Sequence, residues 1–306
     1  MKKIINIVFY VSVFIFAFFL INLAISHFMA SLGERNVDNF NYKFAEMENG
    51  KIYYKEYGEG KPFILLHGFL GSSKDLGKAA KELSEDYKVI VPDIPSFGLS
   101  ADYSLEKNSK ENMAEAIIEF LNYLGYNEYN LLGHSMGGEL ALHIALRDER
   151  VDKLFLVDSQ GYEANDFYPD FLKEHSGVSS FFIRTFFQNY FFQRLLARTG
   201  INDINNFDNS EFLKSYYFNY NIPSMVIHKL NIDDDAGILK NRIKDIENKT
   251  YIIWGDKDEI VPISNAEKFN EDIKNSEYFI ISESGHNPFL ENFEETIKII
   301  KEKARD

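Results

Sequence analysis

Ser135, Asp258 and His286 are the residues of this chain whose types and order could carry out acyl chemistry. Ser135 stands in Gly133-His134-Ser135-Met136-Gly137, a G-x-S-x-G pattern. The apolar run from Tyr129 to Leu132 ahead of it reads as a buried strand, and Glu139 to Arg147 behind it as a helix. A serine caught between strand and helix needs a strained backbone and small neighbours. Gly133 and Gly137, the structural glycines of this elbow, are where a side chain would block the strand–helix contact. The hydroxyl is then presented at a helix N-terminus, which favours developing negative charge. The bland alternative is a glycine-rich turn with an incidental serine; the strand–turn–helix context favours the nucleophile. Such a serine needs a base to take its proton and a third group to orient that base. Asp258 follows the apolar run Thr250 to Trp254, and His286 lies in the loop Glu283 to Asn287 after a further strand pattern. The chain order is therefore serine, acid, histidine.

The elements that must position these residues alternate. Strand patterns cover Lys51–Tyr57, Phe63–Leu66, Tyr87–Val91, Tyr129–Leu132, Val151–Val157, Thr250–Trp254 and Glu277–Ser282. Helical patterns cover Leu76–Leu83, Lys107–Leu124, Glu139–Arg147, Ile263–Phe269 and Pro288–Lys303. This predicts an α/β fold, a mostly parallel central sheet with helices on both faces, built from residues 47–159 and 240–306. His67, Asp93, Ser135 and Asp158 all fall at C-terminal ends of strands, where such sheets collect functional groups. Between them, residues 160–239 lose the strand signal and fill with aromatics, including Phe167, Tyr168, Phe181, Phe182, Phe186, Phe187, Tyr190–Phe192, Phe212, Tyr216 and Tyr217. They read as a helical, aromatic-rich cap. Part of this aromatic area forms the core of the cap, and the remainder is expected to line an acyl-chain site over Ser135.

The 306 residues contain no cysteine, which excludes disulfides, thiol catalysis and cysteine metal sites. A net charge of −14 disfavours nucleic acid as a partner. The seven histidines show no metal-ligand spacing, so no metal site is expected. Nothing points to an oligomeric state. At the N-terminus, Met1-Lys2-Lys3 precedes an uncharged, mostly apolar run from Ile4 to Phe28. About 25 residues at about 1.5 Å each suffice to span a bilayer. Residues 1–30 are therefore expected to be a transmembrane helix serving as a retained signal anchor, and 31–46 a polar tether. Lys2 and Lys3 would stay cytoplasmic and the catalytic body would lie outside. The alternative is a signal peptide, cleaved after Ala24-Ile25-Ser26 or Phe28-Met29-Ala30 to release a secreted protein.

Five segments together resemble the α/β-hydrolase superfamily, in its serine esterase and lipase branch and close in character to monoacylglycerol lipases. They are H-G-F-L-G at His67, P-D-I-P-S-F-G-L-S at Pro92, G-H-S-M-G-G at Gly133, W-G-D-K-D-E-I-V-P at Trp254 and S-G-H-N-P at Ser284. The resemblance covers about residues 50 to 303 and leaves the membrane segment outside. It implies an ester hydrolase without a cofactor, with Ser135 as nucleophile, His286 as base and Asp258 as acid. It also implies an oxyanion hole made by the backbone N–H groups of Met136 and Phe69. Asp256 is an alternative acid, disfavoured by the W-G-x-x-D spacing, and Asp158 a third. His67 reads as a loop organiser and Asp93 as a loop-holding carboxylate; His134, His143, His175 and His228 have no assigned chemistry. Ser96 departs from the pattern, since relatives more often carry glycine there. Two other functions stay open: a C–C bond hydrolase of the same superfamily, and a ligand-binding member without catalysis.

Overall fold

The structure, a computed structural model, describes residues 2–35, 41–106, 109–162, 189–221 and 236–306. Its centre is an eight-stranded sheet of order β1-β2-β4-β3-β5-β6-β7-β8. The strands are β1 (Lys43–Met47), β2 (Gly50–Tyr57), β3 (Pro62–Leu66), β4 (Lys88–Pro92), β5 (Tyr129–His134), β6 (Val151–Val157), β7 (Lys249–Gly255) and β8 (Ser276–Ile281). β1 and β2 are antiparallel to their neighbours, and every pair from β4 through β3 to β8 is parallel. β5 is buried along its whole length, as a central strand covered on both faces must be.

Helices close both faces. On one lie α3 (Lys110–Leu124), α4 (Met136–Ala145) and α8 (Ser264–Asp272), which pack Met113, Ile117, Phe120, Leu140 and Phe269 against Ile64, Leu131 and Ile252. On the other, α2 (Gly77–Leu83) and α10 (Phe293–Arg305) bring Ala80, Leu83, Ile297 and Ile300 to Phe63, Leu132 and Phe155. α3 starts where the Ser109 hydroxyl accepts from the Asn112 N–H, and it stops at Gly125 with φ 74°.

The boundaries differ from the sequence reading in three places. The N-terminal helix α1 runs from Lys2 to Arg35, past its expected end at residue 30. The stretch expected as a tether contains β1, whose only buried residue is Ala45, so it carries no apolar alternation to announce it. The last helix is broken at Asn292 into α9 (Pro288–Glu291) and α10.

The longer α1 has a packing reason. Within the cap, α5 (Tyr190–Thr199) and α6 (Asn209–Asn221) lie against it, and α7 (Ala236–Arg242) leads back to the sheet. Ala30 is buried with Tyr190, Phe212 and Tyr216. The Ser26 hydroxyl accepts from the Tyr190 N–H at 3.1 Å. At Gly33 a Cβ would collide with the Leu213 carbonyl and approach the Tyr217 Cβ to 2.9 Å. The cap aromatics Phe167, Tyr168, Phe171, Phe181, Phe182, Phe186 and Phe187 lie outside the described residues. Phe9–Gly33 is long and apolar enough to cross a membrane. Because α1 bears on α6 through backbone contact at Gly33, Gly33→Val should destabilise the protein by about 1–3 kcal/mol. Thermal melting in detergent checks this, and an unchanged midpoint would mean that α1 does not bear on the cap.

Candidate active site

The turn after β5 is made by glycines that let three backbone segments touch. A Cβ on Gly133 would strike the Gly137 carbonyl; one on Gly137 would strike the Leu66 and His67 carbonyls; one on Gly138 would strike Ser159. Ser135 sits in this turn at φ 54°, ψ −121°, a conformation rarely open to a side-chain-bearing residue. Met136 follows as the first residue of α4, where a backbone N–H has no acceptor in its own helix. The end of β3 brings Gly68 so close that its Cβ would stand 3.2 Å from the Ser135 Cβ, which puts the Gly68–Phe69 backbone against the serine. A turn closed by the Gly71 N–H on the Gly68 carbonyl, 3.1 Å, fixes that loop, and the Phe69 ring rests edge-on against Phe97.

Opposite Ser135, the loops after β7 and β8 meet. His286 Nε2 is 2.8 Å from Ser135 Oγ, and its Nδ1 is 2.8 Å from Asp258 Oδ2. All three residues are buried. The other Asp258 oxygen accepts from the N–H groups of Ile260 and Val261 at 2.8 and 2.9 Å, so the carboxylate is held from two sides. Trp254 explains the tryptophan of its motif: its indole N–H donates to the Val261 carbonyl at 3.2 Å and closes the loop carrying the acid. Asp256 is directed elsewhere, to Lys257 Nζ at 3.2 Å.

The remaining polar residues organise loops. His67 Nε2 accepts from the Ile94 N–H at 3.0 Å, so its Nδ1 carries the proton and donates to the Gly68 carbonyl at 2.8 Å. Asp93 accepts from the N–H groups of Ser73 and Leu99, each at 2.7 Å. Ser96 has φ 79°, the left-handed region a glycine adopts freely, which accounts for glycine being the commoner choice there. His134 Nε2 donates to the His286 carbonyl at 2.8 Å, tying the Ser135 turn to the His286 loop.

Two contributors carry no motif. Glu291 accepts from the N–H groups of Gly285 at 2.8 Å, Asn202 at 2.8 Å and Asp203 at 3.2 Å, and so clamps the His286 loop to the cap. Gly200, just past α5, accepts from the His286 N–H at 2.9 Å. Their bonds between the cap and the segment after β8 span 86 or more residues of sequence, and nothing local signals those. Among the described residues no group of three acidic or histidine side chains is placed to hold a metal ion.

A serine hydroxyl bonded to an imidazole, itself bonded to a backbone-held carboxylate, can attack a carbonyl while passing its proton to the ring. Residues 61–293 match the family model described as the alpha/beta hydrolase fold. The chain belongs to the α/β-hydrolase family. Its relatives include Lipase 1 of Psychrobacter immobilis, 26% identical over 294 residues, covering 86% of this chain and 84% of that one. They also include the 2-hydroxy-6-oxo-6-phenylhexa-2,4-dienoate hydrolase of Burkholderia cepacia, 25% identical over 254 residues, covering 78% and 86%. Among solved structures, a bacterial membrane phospholipase A superposes with a TM-score of 0.71 at 21% identity, covering 98% of this chain and 97% of that one, a likeness of fold.

Two buried histidines make stability depend on pH. Burial, and then the neighbouring His286 imidazole, push His134 from 6.5 down to about 4. Burial, and then the Arg147 guanidinium, push His143 from 6.5 down to about 4. Between these values the unfolded chain binds protons that the folded rings refuse, so their contribution to the unfolding free energy must fall as pH drops from about 6.5 to about 4. Above about 6.5 this contribution is complete. Ring resonances followed by NMR should put both titration midpoints near 4, and a midpoint near 6.5 would show that the ring is not held neutral.

Proposed function

We propose that this protein is a membrane-anchored serine hydrolase of carboxylic esters, acting on lipid esters with apolar acyl groups such as a monoacylglycerol or lysophospholipid. The observation that carries the chemistry is the continuous hydrogen-bonded chain from Ser135 Oγ through His286 to Asp258, each link 2.8 Å. Ser135 attacks the ester carbonyl as His286 Nε2 takes its proton. Asp258 holds Nδ1–H and stabilises the imidazolium that forms. The N–H groups of Met136 and Phe69 receive the oxyanion, where preorganised donors are worth most. His286 then protonates the leaving alcohol, and water releases the acyl-enzyme by the same route in reverse. Lipase and esterase relatives support the ester reading.

C–C bond hydrolysis is the second reading. It is favoured by the similarity to the 2-hydroxy-6-oxo-6-phenylhexa-2,4-dienoate hydrolases, and the same three side chains would serve it.

For retention of α1 the support is its docking. Ser26 and Ala30 are buried against the cap. Both cleavage alternatives, after Ser26 or after Ala30, would cut inside the docked turns. The run from Ile4 to Ile25 ahead of them still measures about 33 Å at about 1.5 Å per residue, the thickness of a hydrocarbon core.

A p-nitrophenyl ester series of increasing chain length, run beside a lysophospholipid and a meta-cleavage dienoate, tests the reaction. Ser135→Ala and His286→Ala should each lower kcat on the order of a million-fold, and Asp258→Asn less. Four further buried methylenes at about 0.8 kcal/mol each supply roughly 3 kcal/mol, so kcat/KM should rise over a hundred-fold from acetyl to medium chains. A preference for acetyl esters would remove the lipid reading, and turnover of the dienoate alone would establish the C–C reading. Mass measurement of the protein from its native membranes should find α1 present. A chain beginning near Ser31 would make the segment a signal peptide.

A further inference from the structure

Asp158 directly follows β6 with φ 42°, and no part of it reaches solvent. Its N–H donates to the Ile253 carbonyl at 3.0 Å, and its Oδ1 accepts from the Gly255 N–H at 2.9 Å. The carboxyl is thus anchored to the end of β7, three residues before Asp258. Its second oxygen, Oδ2, receives no hydrogen bond among the described residues. What stands within hydrogen-bonding reach of Asp158 is the Asp258 side chain, another carboxyl. The other charged group bearing on it is Glu291, also an acid.

Two carboxylates cannot share a buried contact unless a proton lies between them. Its location follows from the donors around each. Asp258 already accepts three N–H bonds, from Ile260, Val261 and His286, so both of its oxygens serve as acceptors. Asp158 accepts one, from the Gly255 N–H on Oδ1. We infer that Asp158 is a positioning residue held as a neutral acid, whose Oδ2–H donates to the Asp258 carboxylate and fixes it for His286. Its burial, and then the negative charge of Asp258, both raise its proton affinity, in keeping with that state. The residue therefore acts through Asp258 and touches no reacting atom. This rests on the proposed role of Asp258.

The inference separates Asp158 from the two other parts it could play. As an ionised reserve acid it would fail when its charge is removed. As mere packing it would tolerate any side chain of its size. As a neutral donor it is replaced by asparagine, whose carbonyl can still accept from the Gly255 N–H and whose amide can still donate to Asp258.

The test uses the full-length protein in detergent. Infrared difference spectra of wild type minus Asp158→Asn at neutral pH should show the C=O stretch of a protonated carboxylic acid. Asp158→Asn should keep kcat/KM for a p-nitrophenyl ester within about threefold. Asp158→Leu, similar in size but without a donor, should lower it about 10–100-fold, the loss of one hydrogen bond to a charged group. Absence of the acid band overturns the inference, even if Asp158→Leu fails to fold. So does an Asp158→Asn loss as large as that of Asp258→Asn, or full activity in Asp158→Leu. The infrared band does not depend on turnover. A band found in a protein that Ser135→Ala leaves fully active would sink the triad reading and leave the protonated pair standing.

Discussion

The contact on which the site depends is backbone against backbone, where the turn after β5 meets the end of β3. Gly137 lies against the Leu66 and His67 carbonyls, and Gly133 against Gly137, with no room for a Cβ at either. Only at that separation can α4 begin directly behind the sheet and hold Ser135 at φ 54°. Such a backbone costs of order 1–3 kcal/mol and persists because its surroundings over-determine it. Here the surroundings are fully buried β5 and the buried Phe63–Leu66 of β3 in register, Leu66 opposite Gly133. The strain aims Ser135 Oγ at the position where His286 Nε2 waits, instead of into its own helix.

The histidine is fixed by an equally crowded meeting of loops. Gly255 lies against Ser284 and Gly285 with no space for a side chain, which joins the ends of β7 and β8. The His286 N–H is taken by Gly200 and its carbonyl by His134. Its backbone is thus bonded on one side to the cap and on the other to the residue before the nucleophile. An imidazole held this way has little freedom to leave Ser135 Oγ, and the proposed reaction would draw on that orientation. Asp258 repeats the principle, with two backbone donors on one oxygen and the His286 ring on the other.

Much of this was legible in the sequence because it is local. The parallel strands β3 to β8 announce themselves as short apolar runs, and the three polar residues now joined by hydrogen bonds lie at or just beyond strand ends. The unread parts are those whose reason is distant in the chain. β1 hides because it is an exposed edge strand with Ala45 alone inside. Glu291 looks like a solvated charge on a final helix, yet it bonds three backbone amides from two loops. Asn292 breaks that helix with a conformation no composition signals, φ −132°, ψ 51°. Asp158 could be recognised as a strand-end acid, but its relation to Asp258 needs β6 and β7 side by side.

Two polar residues of the apolar N-terminal run, Asn22 and Ser26, find their explanation in the cap. Tyr190 opens α5, and the first amides of a helix lack intrahelical acceptors. Asn189 satisfies those of Phe191 and Phe192, while Ser26 of α1 accepts from that of Tyr190. One helix therefore completes the cap of another. Asn22 faces Asn189 at 3.4 Å on the same side. The aromatics of this contact, Tyr190, Phe212 and Tyr216, are committed to burying α1, so the aromatic excess of the cap cannot all be substrate lining. From α6 the contact continues to the core: Lys74 donates to the Ser215 hydroxyl, which donates to Asp75, whose other oxygen accepts from the Ser72 N–H in the loop that carries Phe69. A helix apolar enough to cross a membrane, the cap and the two loops flanking Ser135 are thus joined by direct contacts at every step. Along these contacts, all among the described residues, a displacement of α1 passes from side chain to side chain toward them.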